Sequence, residues 1–116
     1  ERQVSLNVLI QLNLSREHSK SGLRDSEQLQ LLAEEVMKLP RLNLRGLMTV
    51  PAPDQGEAKT RQVFSELREL QLRLQQNLKS PKINQLSMGM TADYEWAILE
   101  GATLIRVGSA IFGPRY

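Results

Sequence analysis

The sequence contains no cysteine, which excludes a disulfide framework, a thiolate metal site and a cysteine nucleophile. Its single histidine, His18, lies in a polar segment with no second ligand nearby, so we predict no metal site. Aromatic residues make up only 4% of the chain, and fifteen basic and thirteen acidic residues are scattered to leave a formal net charge of +2. A nucleic-acid-binding surface would need clustered basic residues or exposed aromatic ones, and the sequence shows neither.

Long hydrophobic runs are also missing. No segment approaches the roughly 20 apolar residues of a membrane-spanning helix, and none has the pattern of a signal peptide. We therefore expect a cytoplasmic protein with no membrane partner. The 116 residues suffice for one domain with a modest core. Because the chain begins with Glu1 and enters a hydrophobic segment almost at once, we expect an excerpt of a longer protein.

The hydrophobic pattern predicts four strands that alternate with helices. The strands are predicted at 4–14, 42–50, 83–87 and 104–107, and the first of them has the nearly continuous apolar middle of a parallel strand. Strands and helices that alternate at short intervals favour a parallel α/β fold. Four such units are half of an eight-unit barrel, which needs about 250 residues. A small open four-stranded sheet is the alternative.

Three helices are predicted between these strands. The first has Asp25 or Ser26 as its N-cap and ends at Pro40. Its apolar stripe consists of Leu29, Leu32, Ala33, Val36 and Leu39. The second has the clearest pattern, with a core face of Val63, Phe64, Leu67, Leu70, Leu74 and Leu78. The third is predicted over 91–100, with Asp93 and Glu95 in its first turn and Gly101 as a left-handed C-cap.

Two segments carry the residue types of a phosphate site. Residues 87–91, Ser-Met-Gly-Met-Thr, lie at the C-terminal end of the third strand, and residues 106–109, Arg-Val-Gly-Ser, lie at the C-terminal end of the fourth. In barrel enzymes the loops after the last two strands often bind phosphate. Glycine lets the backbone approach the anion, N–H groups at a helix start point towards it, and the serine and threonine hydroxyls add donors. Either segment alone is more typical of an ordinary turn, but the two together, at the ends of adjacent strands, leave a turn and a phosphate site as open alternatives.

Arg106 is the charged residue that most needs a partner. It lies within an apolar strand, between Ile105 and Val107, where an unpaired charge would be costly. An internal salt bridge would satisfy it, and so would a ligand whose ring nitrogen faces the guanidinium. The residues themselves leave these two possibilities open.

The run LSMGMTADYEWAILEGATLIRVGSAIFG, residues 86–113, resembles the C-terminal signature of the pyridoxal phosphate homeostasis protein family. Two further segments agree: NVLIQLN at 7–13 with SKSG at 19–22, and RGLM at 45–48 leading to Pro51. The resemblance covers essentially the whole chain. It implies an α/β fold, the C-terminal half of a (β/α)8 barrel of the TIM type, similar to the N-terminal domain of alanine racemase. Residues 1–116 would then be one partial domain that binds pyridoxal 5'-phosphate (PLP).

The resemblance also implies roles for single residues. Ser87 and the Gly89 turn would hold the cofactor phosphate with the help of the glycine and serine that follow the fourth strand. Arg106 would face the pyridine nitrogen and keep it unprotonated, which weakens the ring as an electron sink. Met48 would lie close to the cofactor face. The residues predicted to bind the cofactor are Ser87, Gly89, Arg106, Gly108, Ser109, Met48 and Met90.

The resemblance implies a binding protein rather than an enzyme. Members of the family are regarded as carriers or regulators of vitamin B6 and of amino-acid and keto-acid pools, without an established reaction. Their Schiff-base lysine lies on the first barrel strand, in the N-terminal half that this chain lacks. The lysines present are predicted in loops or on helix surfaces: Lys20, Lys38, Lys59, Lys79 and Lys82. We expect non-covalent cofactor contacts from this chain, completed by the missing half or a second chain. The alternatives are a fragment of an alanine-racemase-like enzyme and a self-associating half-barrel that binds a generic phosphate.

Overall fold

The structure is a computed structural model that describes residues 5–14, 26–51, 55–90 and 92–106. One sheet contains four parallel strands: β1 (Leu6–Gln11), β2 (Leu42–Met48), β3 (Gln85–Met90) and β4 (Leu104–Arg106). Three helices connect them: α1 (Ser26–Met37), α2 (Glu57–Asn77) and α3 (Tyr94–Leu99). The predicted α/β fold with four parallel strands is confirmed.

The spatial order of the strands is the same as their order in the chain, β1-β2-β3-β4, without a reversal. Each crossover between neighbouring parallel strands is right-handed as a rule, so this order places the three helices on one face of the sheet. The opposite face carries an open cavity of about 330 Å³. It is lined by Asn7, Leu9, Arg45, Gln85 and Leu104.

The core lies between the sheet and the helices. The strands contribute Ile10, Leu44, Leu47, Leu86 and Met88, and the helices contribute Leu29, Ala33, Val63, Phe64, Leu67, Leu74 and Ala97. The face predicted for α2 is confirmed, because its members are buried or, at Leu70 and Leu78, partly buried against the same core. None of the helices among the described residues is long and apolar enough to cross a membrane.

The third strand differs from its prediction. It was expected at 83–87, but β3 begins at Gln85 and continues to Met90. The reason is the side chain of Met88, which is completely buried in the core. Leu86 and Met88 are both buried in the core, so the alternation of core-facing residues that is typical of a strand continues past Ser87. Most of the segment that was expected to leave the strand therefore belongs to it.

The helix predictions need two corrections. In α1, Leu29 and Ala33 are buried as expected, but Leu32 is 40% exposed at the flank of the stripe. The helix ends at Met37 rather than at Pro40, so Leu39 lies beyond its end and is 50% exposed. The third helix begins at Tyr94 rather than at residue 91, and Asp93 is its N-cap. Gly101 follows this helix with a φ of +102°, as predicted for a left-handed C-cap.

An ion pair fixes α2 to the end of α3. Arg61 Nη2 lies 2.8 Å from Glu100 Oε2, and Arg61 Nη1 lies 3.3 Å from Glu57 Oε2. The hydrogen bonds with Glu100 and then Glu57 raise the pKa of Arg61 above its usual value. The contact therefore helps to hold the helix that directly follows β3 against the rest of the helical layer.

Candidate functional site

The carboxyl ends of the four parallel strands lie at one edge of the sheet. At this edge Met48 in β2 is paired with Ser87 in β3, and Met90 in β3 is paired with Arg106 in β4. The structure thus brings five of the seven predicted cofactor-binding residues to one edge, on three neighbouring strands. The other two, Gly108 and Ser109, lie outside the described residues, as do Thr91 and Lys20. Open α/β sheets and barrels both bind ligands beyond the carboxyl ends of their strands.

Arg106 has the most informative environment at this edge. Its Nε and Nη2 atoms are buried, and no atom of the described residues accepts a hydrogen bond from either of them. A buried donor without an acceptor costs about 1–3 kcal/mol, more when it is charged. Most buried polar groups in native structures have a hydrogen-bond partner, which can be a water, an ion or a ligand. The internal salt bridge that the sequence left open does not form with any described carboxylate.

Ser87 was predicted as the last residue of the third strand, and it lies inside β3, which continues to Met90. It is 6% exposed, and its backbone carbonyl accepts a hydrogen bond of 3.2 Å from the backbone N–H of Thr49. Met48, its neighbour on β2, is half-buried, whereas Met90 is 43% exposed at the rim. Their roles towards a cofactor stay predictions.

The backbone at position 89 requires glycine for a structural reason that is independent of any ligand. Its φ is +102°, and an added Cβ would lie 2.6 Å from the Cβ of Ala97 in α3. Only glycine allows both this conformation and this close approach of the helix. The turn after it is closed by Asp93, whose Oδ1 accepts a hydrogen bond of 2.8 Å from the backbone N–H of Met90. The prediction that Gly89 also lets a phosphate approach is therefore one of two explanations for this residue.

Sequence reasoning missed two polar residues at this edge. Asp93 was assigned to the first turn of a helix, but it shapes the end of β3. Thr49 was not singled out, yet it is completely buried and its Oγ1 donates a hydrogen bond of 2.7 Å to the carbonyl of Leu12. The one available signal was a polar residue between Met48 and Val50 in an otherwise apolar segment.

The four described lysines lie on a helix or in the connections between elements. Lys59 is on α2, Lys38 follows α1, and Lys79 and Lys82 lie in the connection from α2 to β3. All four are exposed, and none lies in a strand. Among the residues placed by the structure, no three His, Cys, Asp or Glu side chains are close enough to hold a metal ion.

Comparisons with known proteins identify relatives that match nearly the full length of this chain. The family model described as alanine racemase, N-terminal domain, matches residues 1–116. Proteins named pyridoxal phosphate homeostasis protein from Pasteurella multocida and Haemophilus influenzae are each 49% identical over 110 residues. The protein of the same name from Escherichia coli is 46% identical over 110 residues. These names are those of homeostasis proteins rather than enzymes, and the resemblance noted in the sequence is confirmed.

The chain spans about half the length of the curated relatives it matches. The match to the Pasteurella protein covers 95% of this chain and 47% of the relative. The solved structure of PipY from Synechococcus elongatus without PLP has a TM-score of 0.86 at 33% identity. The structure of PipY with PLP bound has a TM-score of 0.82 at 31% identity. These matches cover 94% and 95% of this chain, and 50% of PipY in each case.

Proposed function

Because this chain belongs to the alanine racemase N-terminal domain family, we propose that it supplies the phosphate and pyridine contacts of a PLP site. The site would belong to a protein that regulates vitamin B6 and amino-acid pools in the cytoplasm. The chain would form one half of a (β/α)8 barrel, and the remaining half would provide the covalent lysine.

The order of the strands supports the half-barrel. A doubly wound open sheet binds its ligand where the strand order reverses, and β1-β2-β3-β4 has no reversal. Among the described residues no further strand pairs with the outermost strands β1 and β4, and their apolar residues Leu6 and Leu104 are 59% and 48% exposed. The relatives are about twice as long and have room for four further strands. These strands would cover the two outermost strands and the open face of the sheet.

The observation that carries the proposal is that two buried donors of Arg106, Nε and Nη2, have no acceptor among the described residues. A pyridine nitrogen offers one in-plane lone pair, so it would accept a hydrogen bond from one of these two donors. Such a contact holds the ring nitrogen unprotonated, because the guanidinium is itself permanently charged and only donates. When bound, PLP supplies an electron sink, and this contact weakens that capacity. The proposal of a binding protein rather than an enzyme rests on the names of the relatives, which are those of homeostasis proteins.

The phosphate would lie between the ends of β3 and β4. Ser87 and Gly89 would contribute from β3, and Gly108 with Ser109 from the segment that follows β4. Met48 and Met90 would contact the cofactor from either side of Ser87 along the sheet edge. Arg106 lies on the strand that leads into Gly108, so its guanidinium would be close enough to the same ligand to contact the pyridine nitrogen.

The test is a comparison of PLP with pyridoxal, which lacks the phosphate, by absorbance titration of the full-length natural polypeptide that contains these residues. We expect PLP to bind at least about tenfold more tightly, since hydrogen bonds to a charged group contribute about 1.5–3 kcal/mol. Ser87→Ala should reduce the ratio of the affinity for PLP to the affinity for pyridoxal. Ser80→Ala is the matched control, since Ser80 precedes β3 at the opposite edge of the sheet. Equal affinities for the two compounds, or an unchanged preference in Ser87→Ala, would contradict the phosphate assignment.

A further inference from the structure

Thr49 lies at the point where the regular pairing of β1 with β2 ends. The register runs to Gln11 paired with Met48, and the backbone N–H of Leu12 still donates to the Met48 carbonyl at 2.8 Å. Beyond this bond, a side chain instead of a backbone N–H donates the next hydrogen bond between the two strands. The hydroxyl of Thr49 donates to the carbonyl of Leu12 at 2.7 Å, and both residues are buried.

Thr49 is also bonded to β3, on its other side. Its backbone N–H donates to the carbonyl of Ser87 at 3.2 Å. One residue therefore connects the carboxyl ends of β1, β2 and β3 at the edge where the predicted ligand contacts lie. Without the hydroxyl, the Leu12 carbonyl would be left as a buried acceptor, and the end of β1 could relieve this cost only by moving towards water.

We propose that Thr49 is a positioning residue for the cofactor site: its hydroxyl fixes the end of β1 against β2, and its backbone fixes Ser87. This inference rests on the proposed function, since it assigns to Thr49 the placement of Met48 and Ser87 for PLP. Small displacements of groups that bind a ligand weaken binding strongly, because each hydrogen bond depends on distance and angle. Thr49 would thus act on the cofactor without touching it.

A matched pair of buried hydrogen bonds separates positioning from stability. Gln71 in α2 is 6% exposed, and its Nε2 donates to the carbonyl of Ile83 at 2.6 Å. Like the Thr49 bond, this one joins a buried side chain to a backbone carbonyl. Ile83 precedes β3, however, so the bond lies towards the amino end of the strand, away from the candidate site.

The experiment compares Thr49→Val, Thr49→Ser and Gln71→Met in the full-length natural polypeptide, by PLP titration, by the absorption spectrum of the bound cofactor and by urea denaturation. Thr49→Val should weaken PLP binding about tenfold and change the spectrum, and Thr49→Ser should restore both. Gln71→Met should lower the denaturation midpoint while affinity and spectrum stay as in the wild type. Should the valine variant fail to fold, Thr49→Cys, which carries a weaker donor, should give a smaller loss of affinity.

The outcomes distinguish the two claims. A folded Thr49→Val or Thr49→Cys protein with wild-type affinity and spectrum would overturn the positioning role and leave the proposed function intact. A loss of affinity in Gln71→Met as large as in Thr49→Val would also overturn it, because the effect would then be one of stability. A wild-type protein that does not bind PLP would overturn both.

Discussion

Replacing Arg106 by methionine separates a ligand contact from a structural ion pair, because the two roles predict opposite changes in stability. In the described residues, Nε and Nη2 are buried without an acceptor. Methionine is of similar length and removes the cost of these donors, about 1–3 kcal/mol. We therefore expect Arg106→Met to raise the free energy of unfolding of the unliganded full-length protein by about that amount, as replacement of buried charges by apolar side chains often does.

The same substitution should weaken PLP binding. A hydrogen bond that involves a charged group contributes about 1.5–3 kcal/mol, which corresponds to a roughly 10- to 100-fold loss of affinity. Urea denaturation with and without PLP measures both effects at once, since a ligand stabilises the folded state according to its concentration and dissociation constant. Without PLP, the variant should have a higher free energy of unfolding than the wild type. Addition of PLP should raise the free energy of unfolding of the variant by less than that of the wild type.

Arg73→Met is the control for this experiment, because Arg73 is exposed on α2. It should change neither the unfolding curve nor the response to PLP by more than about 0.5 kcal/mol. If Arg106→Met instead destabilised the unliganded protein and bound PLP with unchanged affinity, the guanidinium would have a structural partner in the rest of the protein. Arg106 would then not be a contact of the ligand.

Three glycine substitutions test how the sheet and its site-bearing strand are packed, each by urea denaturation. Gly56→Ala should cost about 1–3 kcal/mol from its backbone conformation alone, since φ is +89°, ψ is 165° and an added Cβ meets nothing within 4 Å. Gly46→Ala should cost about 3 kcal/mol or more, because its Cβ would overlap the backbone carbonyl group of Gln85, which cannot yield. Gly89→Ala combines both penalties and should destabilise more than Gly56→Ala; an equal loss would mean that α3 moves away from β3 without cost.

The sequence predicted the elements whose pattern is local and missed those that depend on distant residues. The α2 helix was predicted because its apolar spacing over several turns has one explanation. The bounds of β3 were wrong because neither Met88 nor Gly89 favours a strand by propensity. Only the burial of Met88 under the helices makes the strand continue.

The candidate site shows the same division. The presence of Arg106 in an apolar strand was visible in the sequence, and so was its need for a partner. That no described carboxylate serves as this partner could be learned only from the three-dimensional arrangement. Thr49 was missed because its hydroxyl bonds a carbonyl 37 residues earlier in the chain, and no local pattern marks such a contact.

The most direct test of the central claim is to locate the lysine that PLP modifies. The full-length natural polypeptide would be loaded with PLP, reduced with borohydride and analysed by peptide mass mapping. We predict that the modified lysine lies outside these 116 residues, since the described lysines are exposed and none lies in a strand. Stoichiometric modification of Lys20, Lys38, Lys59, Lys79 or Lys82 would contradict it, because this chain would then carry its own covalent attachment point.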